Sequence, residues 1–505
     1  MGTTPVSRLV FRADAGARIG AGHVMRCLSL AQAWQADGGR TIFLSHCENK
    51  TMRQHVEATG ISFIPLDTPH PNSADIQRAL TLLREFEAEW LVLDGYHFDP
   101  AYQEAVRKAG YPLLVIDDTA HWPEYHADIL LNQNINAEAL SYVRDPGTTM
   151  LLGTRYVLLR AEFLSRRSRP REIREGGRKV LVTLGGGDAE NVTLKVIQAL
   201  QQVDVSGLEA KIVVGPANPN LKILHQAAQQ STINLQLLPT VTDMPELMAW
   251  ADLAVSGGGS TSWELAFIGV PSVVLVMAEN QSVIAQELGK MGIVFNLGWH
   301  EQVSSSQVAQ AMTRLLLSAE ARGRMASRGK DLVDGDGVDR VLMRVRGQRI
   351  RLRRVREEDG RLIWEWANDP SVRAVSFSSE PILWEQHLKW FQSKLNDPGC
   401  VFYIALDEED VPIGQVRYDV KDGEATVSIS LGSSFRGKGY GNEIIELSSR
   451  KLFKALNAKS IHSYVKTDNE ASVEMFLEAG YKNVGKTTIH GEPAVHLILP
   501  KEGSA

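Results

Sequence analysis

Three cysteines in 505 residues, Cys27, Cys47 and Cys400, are too few and too far apart for a disulfide framework or a zinc site. No apolar run approaches the ~18 residues of a membrane-spanning helix, and the start shows no basic-then-apolar leader. Position 6 lacks the serine or threonine of a myristoylation signal. These absences predict a reducing, cytoplasmic setting. There is no basic excess either: the net charge is −6, which gives no electrostatic reason to expect nucleic acid. The one arginine-rich run, Arg340 to Arg356, predicts a linker and an edge strand with exposed arginines. Repeats, low-complexity tracts and Gly-x-x-x-x-Gly-Lys-Ser/Thr are also missing, and the last absence argues against an NTPase.

What is there is ordinary in composition, 44% apolar and 23% charged, and long enough for about three domains. From Leu9 to about Leu164, strand and helix patterns alternate, with strands predicted at 9–11, 41–45, 62–65, 90–93, 113–116 and 129–131. That βαβ rhythm predicts a mostly parallel sheet covered on both faces. The first strand feeds Ile19-Gly20-Ala21-Gly22-His23-Val24-Met25-Arg26. Gly20 and Gly22 allow a sharp turn and close approach of a ligand. His23 falls in the first turn of a helix at the sheet's carboxyl edge, where α/β folds place ligands and where the helix dipole disfavours imidazolium. The stretch reads either as a glycine turn with a capping histidine or as a ligand loop with a base. Asp94-Gly95-Tyr96-His97 and Asp117-Asp118-Thr119 lie on the same side. The paired aspartates suit a helix-capping turn better than metal or acid–base work, because no further carboxylate joins them in the sequence.

After a polar connector at 165–178, a second α/β unit begins with a strand at 180–184, then Gly185-Gly186-Gly187-Asp188 and a helix from about Asn191. A strand at 253–256 runs into Gly257-Gly258-Gly259-Ser260-Thr261 and a helix carrying Glu264, with Gly269-Val270-Pro271 entering another strand. Consecutive N–H groups at such a helix start suit a phosphate better than a plain tight turn. Glu264 is placed to accept from ribose hydroxyls, or to complement the helix dipole from the surface. Two such halves in tandem would form a cleft between them. A third domain starts near Gln348, with strands at 401–405, 412–418 and 425–431. It continues through Phe435-Arg436-Gly437-Lys438-Gly439-Tyr440-Gly441 into a long helix, a second pyrophosphate-type loop. The predicted fold class is α/β, with two Rossmann-like domains at 1–168 and 169–345 and a smaller α/β domain at 348–505.

The third domain resembles the GNAT N-acetyltransferases. Arg436-x-x-Gly439-x-Gly441 matches the family's acetyl-coenzyme A loop, and Asn469-x-x-Ser472-x-x-x-Phe476-x-x-x-Gly480-Tyr481 its downstream motif. The resemblance implies acetyl-coenzyme A contacts from Leu431, Arg436, Gly437, Lys438, Gly439, Tyr440, Gly441, Asn469 and Phe476. Many members have tyrosine at the Phe476 position as the acid for the departing thiolate; here Tyr440, Tyr464, Tyr481 or a water remain open. Trp364-Glu365-Trp366-Ala367-Asn368-Asp369-Pro370-x-Val372-Arg373 with His387-x-x-Trp390-Phe391 is similar to the subgroup that acetylates UDP-linked amino sugars.

Residues 1 to about 345 resemble the UDP-sugar hydrolases of the pseudaminic acid pathway, which share the two-domain GT-B fold of MurG-like glycosyltransferases. The matching motifs are Arg12-Ala13-Asp14, Ile19-Gly20-x-Gly22-His23-x-x-Arg26-Cys27, Asp94-x-Tyr96, Gly185-Gly186-x-Asp188-x-x-Asn191, Gly258-Gly259-Ser260-Thr261-x-x-Glu264 and Asn280-Gln281. The resemblance implies a catalytic His23 with Tyr96 and Asn280 at the sugar. It implies a UDP-sugar site of Asp14, Gly20, Gly22, Asn191, Gly258, Gly259, Ser260, Thr261, Glu264 and Gln281, with Asp14 a candidate to orient the imidazole. No metal is expected. The paired resemblances imply acetylation of the C4 amine of a UDP-4-amino-sugar from acetyl-coenzyme A, then removal of UDP, with flagellin glycosylation as the setting. A glycosyltransferase, a hydrolysing epimerase, or a nucleotide-sugar sensor joined to a protein acetylase are the alternatives.

Overall fold

Buried apolar strands of four to six residues organise the first two thirds of the chain. The computed structural model describes residues 7–501 except 17, 18, 49, 168, 170, 186, 187, 189, 216, 217, 240 and 457. It divides into two compact units, Met1–Leu342 and Met343–Ala505.

The first unit holds two parallel sheets. Sheet one contains β1 (Arg8–Ala13), β2 (Arg40–Ser45), β3 (Ser62–Pro65), β4 (Trp90–Asp94), β5 (Leu113–Ile116), β6 (Ile129–Asn132) and β7 (Thr149–Leu152), in the order β3-β2-β1-β4-β5-β6-β7. Every residue of β5 and β6 is buried, as a sheet covered on both faces requires. Sheet two contains β8 (Lys179–Thr183), β9 (Glu209–Val213), β10 (Asn234–Leu238), β11 (Leu253–Gly257), β12 (Ser272–Val276) and β13 (Val294–Trp299), in the order β10-β9-β8-β11-β12-β13. In both sheets the first strand lies centrally and the order reverses beside it, which opens a crevice at the carboxyl ends of β1/β4 and β8/β11. These are the two Rossmann-like layers of the GT-B class. The sequence pattern did not single out β7, β10 or β13. All three are sheet edges with half-buried or exposed positions, which blurs the apolar run.

The arginine run agrees with expectation in its edge strand, Arg351–Arg354, and in exposed Arg349 and Arg354, but departs from it at the arginines that are paired. Arg340 is buried in the helix Gly337–Val345, where it donates to Arg155 O at 2.7 Å and pairs with Asp334. Arg351 is buried against Asp410 at 2.6 Å, and Arg353 pairs with Asp359 at 2.7 Å. Asp334 and Asp359 lie six residues from their arginines and Asp410 lies 59 away, and only the fold brings each carboxylate onto its guanidinium.

The second unit is a mixed sheet of β14 (Arg351–Arg354), β15 (Cys400–Leu406), β16 (Pro412–Lys421), β17 (Glu424–Leu431), β18 (Ser460–Lys466), β19 (Lys482–Ile489) and β20 (Glu492–Pro500), ordered β14-β15-β16-β17-β18-β20-β19. The helix Tyr440–Ala455 packs on one face through Ile444, Ile445 and Leu452. The helices Gly360–Ala367 and Trp384–Asn396 cover Phe402 and Ile404 on the other. β17 and β18 are the parallel pair, and they stay paired only from Glu424↔Ser460 to Thr426↔His462. Beyond Thr426 they separate, leaving strand edges unpaired.

Candidate active site

His23 is the second residue of the helix Gly22–Ala36, and its Nδ1 lies 2.7 Å from Asp94 Oδ1 at the end of β4. An ionised carboxylate only accepts, so the Nδ1 proton faces Asp94 and Nε2 keeps its lone pair. Nε2 has no partner among the described residues. One turn on, Arg26 grips both Asp94 oxygens, with Nε–Oδ2 at 2.6 Å and Nη2–Oδ1 at 2.7 Å, and reaches Asp118 at 2.8 Å. Burial alone would raise the Asp94 carboxyl, but Arg26 and His23 outweigh it and hold it well below the usual carboxylate range. Asp118 is depressed in the same way, with Arg26 overcoming burial.

Tyr96 completes the group. Its hydroxyl donates to Asp118 Oδ2 at 2.7 Å and accepts from Asn280 Nδ2 at 3.1 Å, and its ring stands edge-on to His23 at 4.9 Å. Burial and Asp118 push the phenol well above its ordinary value. Sheet one therefore supplies His23, Arg26, Asp94, Tyr96 and Asp118, and sheet two supplies Asn280. Three of these, Arg26, Asp94 and Asp118, were not among the predicted site residues. Arg26 and Asp94 stand inside the matched motifs, and Asp118 was read as a turn cap. That reading suits Asp117, which accepts from Thr119 N and Ala120 N.

Asp14 is a correction. It is wholly buried and does not contact His23; it binds Arg12, His97 Nε2 at 3.0 Å and His46 N at 2.7 Å. Arg12 also pairs with buried Asp75, so Asp14 belongs to a charge cluster beneath the loop and presents no oxygen to a ligand. The orienting carboxylate is Asp94.

From sheet two, Gly257 and Gly258 lead into the helix Thr261–Ile268, with Ser260 at its N-cap. Gln281 is spent on this loop: its Oε1 accepts from Gly258 N at 3.2 Å and Met277 N at 3.0 Å. A Cβ on Gly258 would lie 3.0 Å from Gln281 O, so the close packing needs glycine. A Cβ on Gly22 would lie 3.8 Å from Ser260 Oγ, so the starts of the helices Gly22–Ala36 and Thr261–Ile268 converge. Gly20 supports that approach with φ +79°. Between them a narrow cavity of about 20 Å³, room for one water, is lined by Met25, Arg26, Trp263 and Glu264. Glu264 pairs with Arg160 at 3.0 Å, and burial raises its carboxyl more than Arg160 lowers it. Gly259 and Thr261 complete the loop.

The other glycine loop is less open. Asp188 caps the helix Val192–Leu200, accepting from Val192 N at 2.7 Å and Thr193 N at 2.9 Å. Asn191 is left-handed, and its buried Oδ1 has no hydrogen-bond partner among the described residues. Gly186 and Gly187 lie outside the described residues. Among the described residues, Glu190, His300 and Glu301 bring ligand-type atoms within 4.8 Å of one another.

In the second unit, Gly437 and Gly439 adopt φ +71° and +81° and turn the chain into the helix Tyr440–Ala455. Arg436 Nε donates to Leu431 O at 3.0 Å, and its Nη1 contacts Asp369 and Ser371. Ser371 and Arg436 draw the Asp369 carboxyl down to about 2. One Arg436 nitrogen, Nη2, is buried with no partner among the described residues. Lys438 lies 5.9 Å from the Phe435 ring, Tyr440 takes Arg349 over its face at 4.9 Å, and a Cβ on Gly441 would meet Met475 Sδ at 2.5 Å. Asn469 caps the helix Glu470–Glu478, accepting from Ser472 N, and Phe476 is a core residue 5.0 Å from the Tyr481 ring. Both side chains are thus engaged within the protein. Tyr481 is buried against Ser449 and its hydroxyl is pushed far up by burial, so it is no acid for a thiolate.

Comparison with known proteins divides the chain the same way. Residues 179–339 match the glycosyltransferase family 28 C-terminal domain, and residues 349–482 match the acetyltransferase (GNAT) domain. An uncharacterized protein of Methanocaldococcus jannaschii is 22% identical over 94% of this chain and 96% of its own length. The Bacillus subtilis spore coat polysaccharide biosynthesis protein SpsG is 26% identical, covering 65% of this chain and 95% of SpsG. The Campylobacter jejuni UDP-2,4-diacetamido-2,4,6-trideoxy-beta-L-altropyranose hydrolase is 25% identical, covering 56% of this chain and 97% of the hydrolase. Among the described residues, no helix is long and apolar enough to cross a membrane.

Proposed function

We propose that this chain, an enzyme joining a region related to a UDP-sugar hydrolase to a GNAT acetyltransferase domain, acts twice on one sugar nucleotide: it acetylates the C4 amine of a UDP-4-amino-4,6-dideoxy-sugar and hydrolyses UDP from the diacetamido product. The observation that carries the hydrolytic half is the His23–Asp94 pair, with Nε2 unspent beside Tyr96 and Asn280. Water attacks the anomeric carbon while His23 Nε2 takes its proton. The bond from that carbon to the diphosphate oxygen breaks, and UDP leaves with the bonding electrons. Asp94 fixes the tautomer and stabilises the imidazolium that forms. Converging helix starts at Gly22 and Ser260–Thr261 offer N–H donors to the charge growing on the diphosphate. Tyr96 and Asn280 contact the sugar, and Glu264 exchanges Arg160 for the ribose hydroxyls.

For the second half, the open edges of β17 and β18 suit the extended, amide-bearing arm of acetyl-coenzyme A as co-substrate. Gly437–Gly441 and Arg436 Nη2 suit its pyrophosphate. The amine attacks the thioester directly, without an acyl-enzyme.

Two experiments test this reading. Feeding UDP-4-amino-sugar and acetyl-coenzyme A to the full chain and following products by mass spectrometry should show the acetylated nucleotide sugar, then free diacetamido sugar and UDP. His23→Leu should stop at the acetylated nucleotide sugar while binding UDP nearly as the parent does; retained UDP release refutes the role. The match to a glycosyltransferase domain favours one second reading, transfer to an acceptor sugar, and UDP release without any acceptor excludes it.

A further inference from the structure

Where β17 and β18 part, one sheet face carries a cluster of polar side chains that the acetyl-transfer reading leaves unused. Residues directly opposite one another across a ladder share a face. Gln415 pairs with Ser430, Thr426 with His462, and Tyr464 with His496. By strand alternation all of these lie on one face. The alternate residues Val427, Ile461, Val465 and Val495 pack into the core against the helix Tyr440–Ala455 on the other. Thr426↔His462 is the last pair before the strands separate, so Tyr464 borders the slot itself and His496 stands one strand behind it.

The two imidazoles are joined. His462 Nδ1 lies 2.9 Å from His496 Nε2, and the Ser460 hydroxyl lies 2.9 Å from His462 Nε2. The Tyr464 ring stacks on His496 at 4.6 Å and 17°. Both His462 nitrogens are therefore occupied. His496 Nδ1 and the Tyr464 hydroxyl have no partner among the described residues. On the same face Gln415 is 92% buried, donates Nε2 to Ser430 Oγ at 3.0 Å, and leaves Oε1 without a partner among the described residues. Turning the amide over would only exchange which end is orphaned. A buried amide end with nothing to bind is costly in the free protein and points to a polar ligand beside it.

We infer that His496, backed by His462, is the group that takes the proton of the acceptor amine in acetyl transfer, and that Gln415 helps to hold the acceptor. This rests on the acetyltransferase reading above. The acceptor ammonium gives one proton to His496 Nδ1, and the freed lone pair forms the C–N bond at the thioester carbonyl. The C–S bond then breaks, and the sulfur leaves with its electrons and takes the second nitrogen proton, directly or by way of the Tyr464 hydroxyl. The proton on His496 passes to solvent. With His496 Nε2–H donating to His462 Nδ1, and His462 Nε2–H donating to the Ser460 hydroxyl, His496 Nδ1 keeps its lone pair and can receive the amine's proton. Burial and His462 lower the pKa of His496, which keeps it available as a base at neutral pH. The charged groups on the same face as the pair are Glu424, whose Oε2 lies 3.9 Å from His462 Nε2, Lys466 beyond Tyr464, Asp419 and Arg417 on β16 opposite Thr426 and Ser428, and Lys482 on β19 opposite Ile498; Thr426, Ser428 and Gly485 carry no charge.

The test uses the full chain with acetyl-coenzyme A and a UDP-4-amino-sugar, reading coenzyme A release from pH 5.5 to 9. His496→Gln should lower kcat/KM for the amine about 100-fold and flatten its acidic limb. Coenzyme A affinity should stay within about two-fold of the parent, which also reports that the domain is folded, and added imidazole should restore part of the rate. His462→Gln should shift the acidic limb with a smaller loss, and Gln415→Leu should raise KM for the amine more than it lowers kcat. An unchanged pH profile in His496→Gln, or a uniform loss at every pH that imidazole does not rescue, overturns the inference while the acetyltransferase reading stands. A parent chain that releases no coenzyme A with the amine overturns both.

Discussion

At the scale of single residues, the first centre depends on which carboxylate reaches His23. Asp14 and Asp94 both end central strands of the same sheet, and Ala13 is the direct partner of Asp94. Asp14 is thus one residue past the register position of Asp94, and the pleat sends its side chain down into the Arg12 cluster. A sequence shows two aspartates after two strands and cannot show that offset. Asp94→Asn retains the shape but allows the wrong tautomer, so UDP release should fall by about 10² to 10⁴-fold with UDP affinity changed only a few-fold. A stopped assay with calorimetry checks it, and an unimpaired rate rules out the orienting role. His23, Tyr96 and Asn280 were legible because their motifs carry them. Arg26, Asp94 and Asp118 owe their roles to partners as much as 92 residues apart.

Among the elements, the glycine-rich start of the helix Thr261–Ile268 is shaped by a side chain from outside it. Gln281 satisfies two backbone N–H groups, and each such donor left buried without a partner costs about 1–3 kcal/mol. Gln281→Ala should therefore loosen the loop and weaken UDP binding about ten-fold, measured by calorimetry; unchanged affinity would mean the loop is rigid without it. Fully buried strands such as β5 and β12 were plain in the sequence because four or five consecutive apolar residues fit a sheet covered on both sides. The separation of β17 from β18 was not, since β17 alternates regularly along its whole length and only the partner strand reveals where pairing stops. The arginines after Arg340 were misjudged for a similar reason: charge is visible in a sequence, but its pairing is not.

For the whole molecule, stability and acidity are coupled through buried carboxylates. Asp14 and Asp94 both sit below the ordinary carboxylate range, because Arg12 with His97, and Arg26 with His23, overcome burial. A depressed folded pKa contributes stability that is complete above the unfolded value near ~4 and is lost as pH falls below it. Urea midpoints of the amino-terminal unit should therefore be insensitive to these groups from pH 5 to 8 and drop steeply below about pH 4; a flat profile down to pH 3 contradicts this. The same unit is closed at its far end by Gly337, where a Cβ would lie 2.3 Å from Val157 O. Backbone cannot yield as a side-chain tip can, so Gly337→Val should lower the melting temperature of this unit by several degrees. Acetyl transfer by the other unit should survive the substitution.

The hydrogen bond between Tyr96 and Asn280 has a consequence in time. It joins the two sheets across the crevice and uses both sides of the Tyr96 hydroxyl, which donates to Asp118 and accepts from Asn280. Under the proposed reading, a sugar nucleotide enters by opening this bond, and parting of two such halves is a motion of the microsecond-to-millisecond class. The same latch re-forms once products leave. Under the proposed reading, the pace of nucleotide entry and exit is then governed by how often two halves of one unit separate.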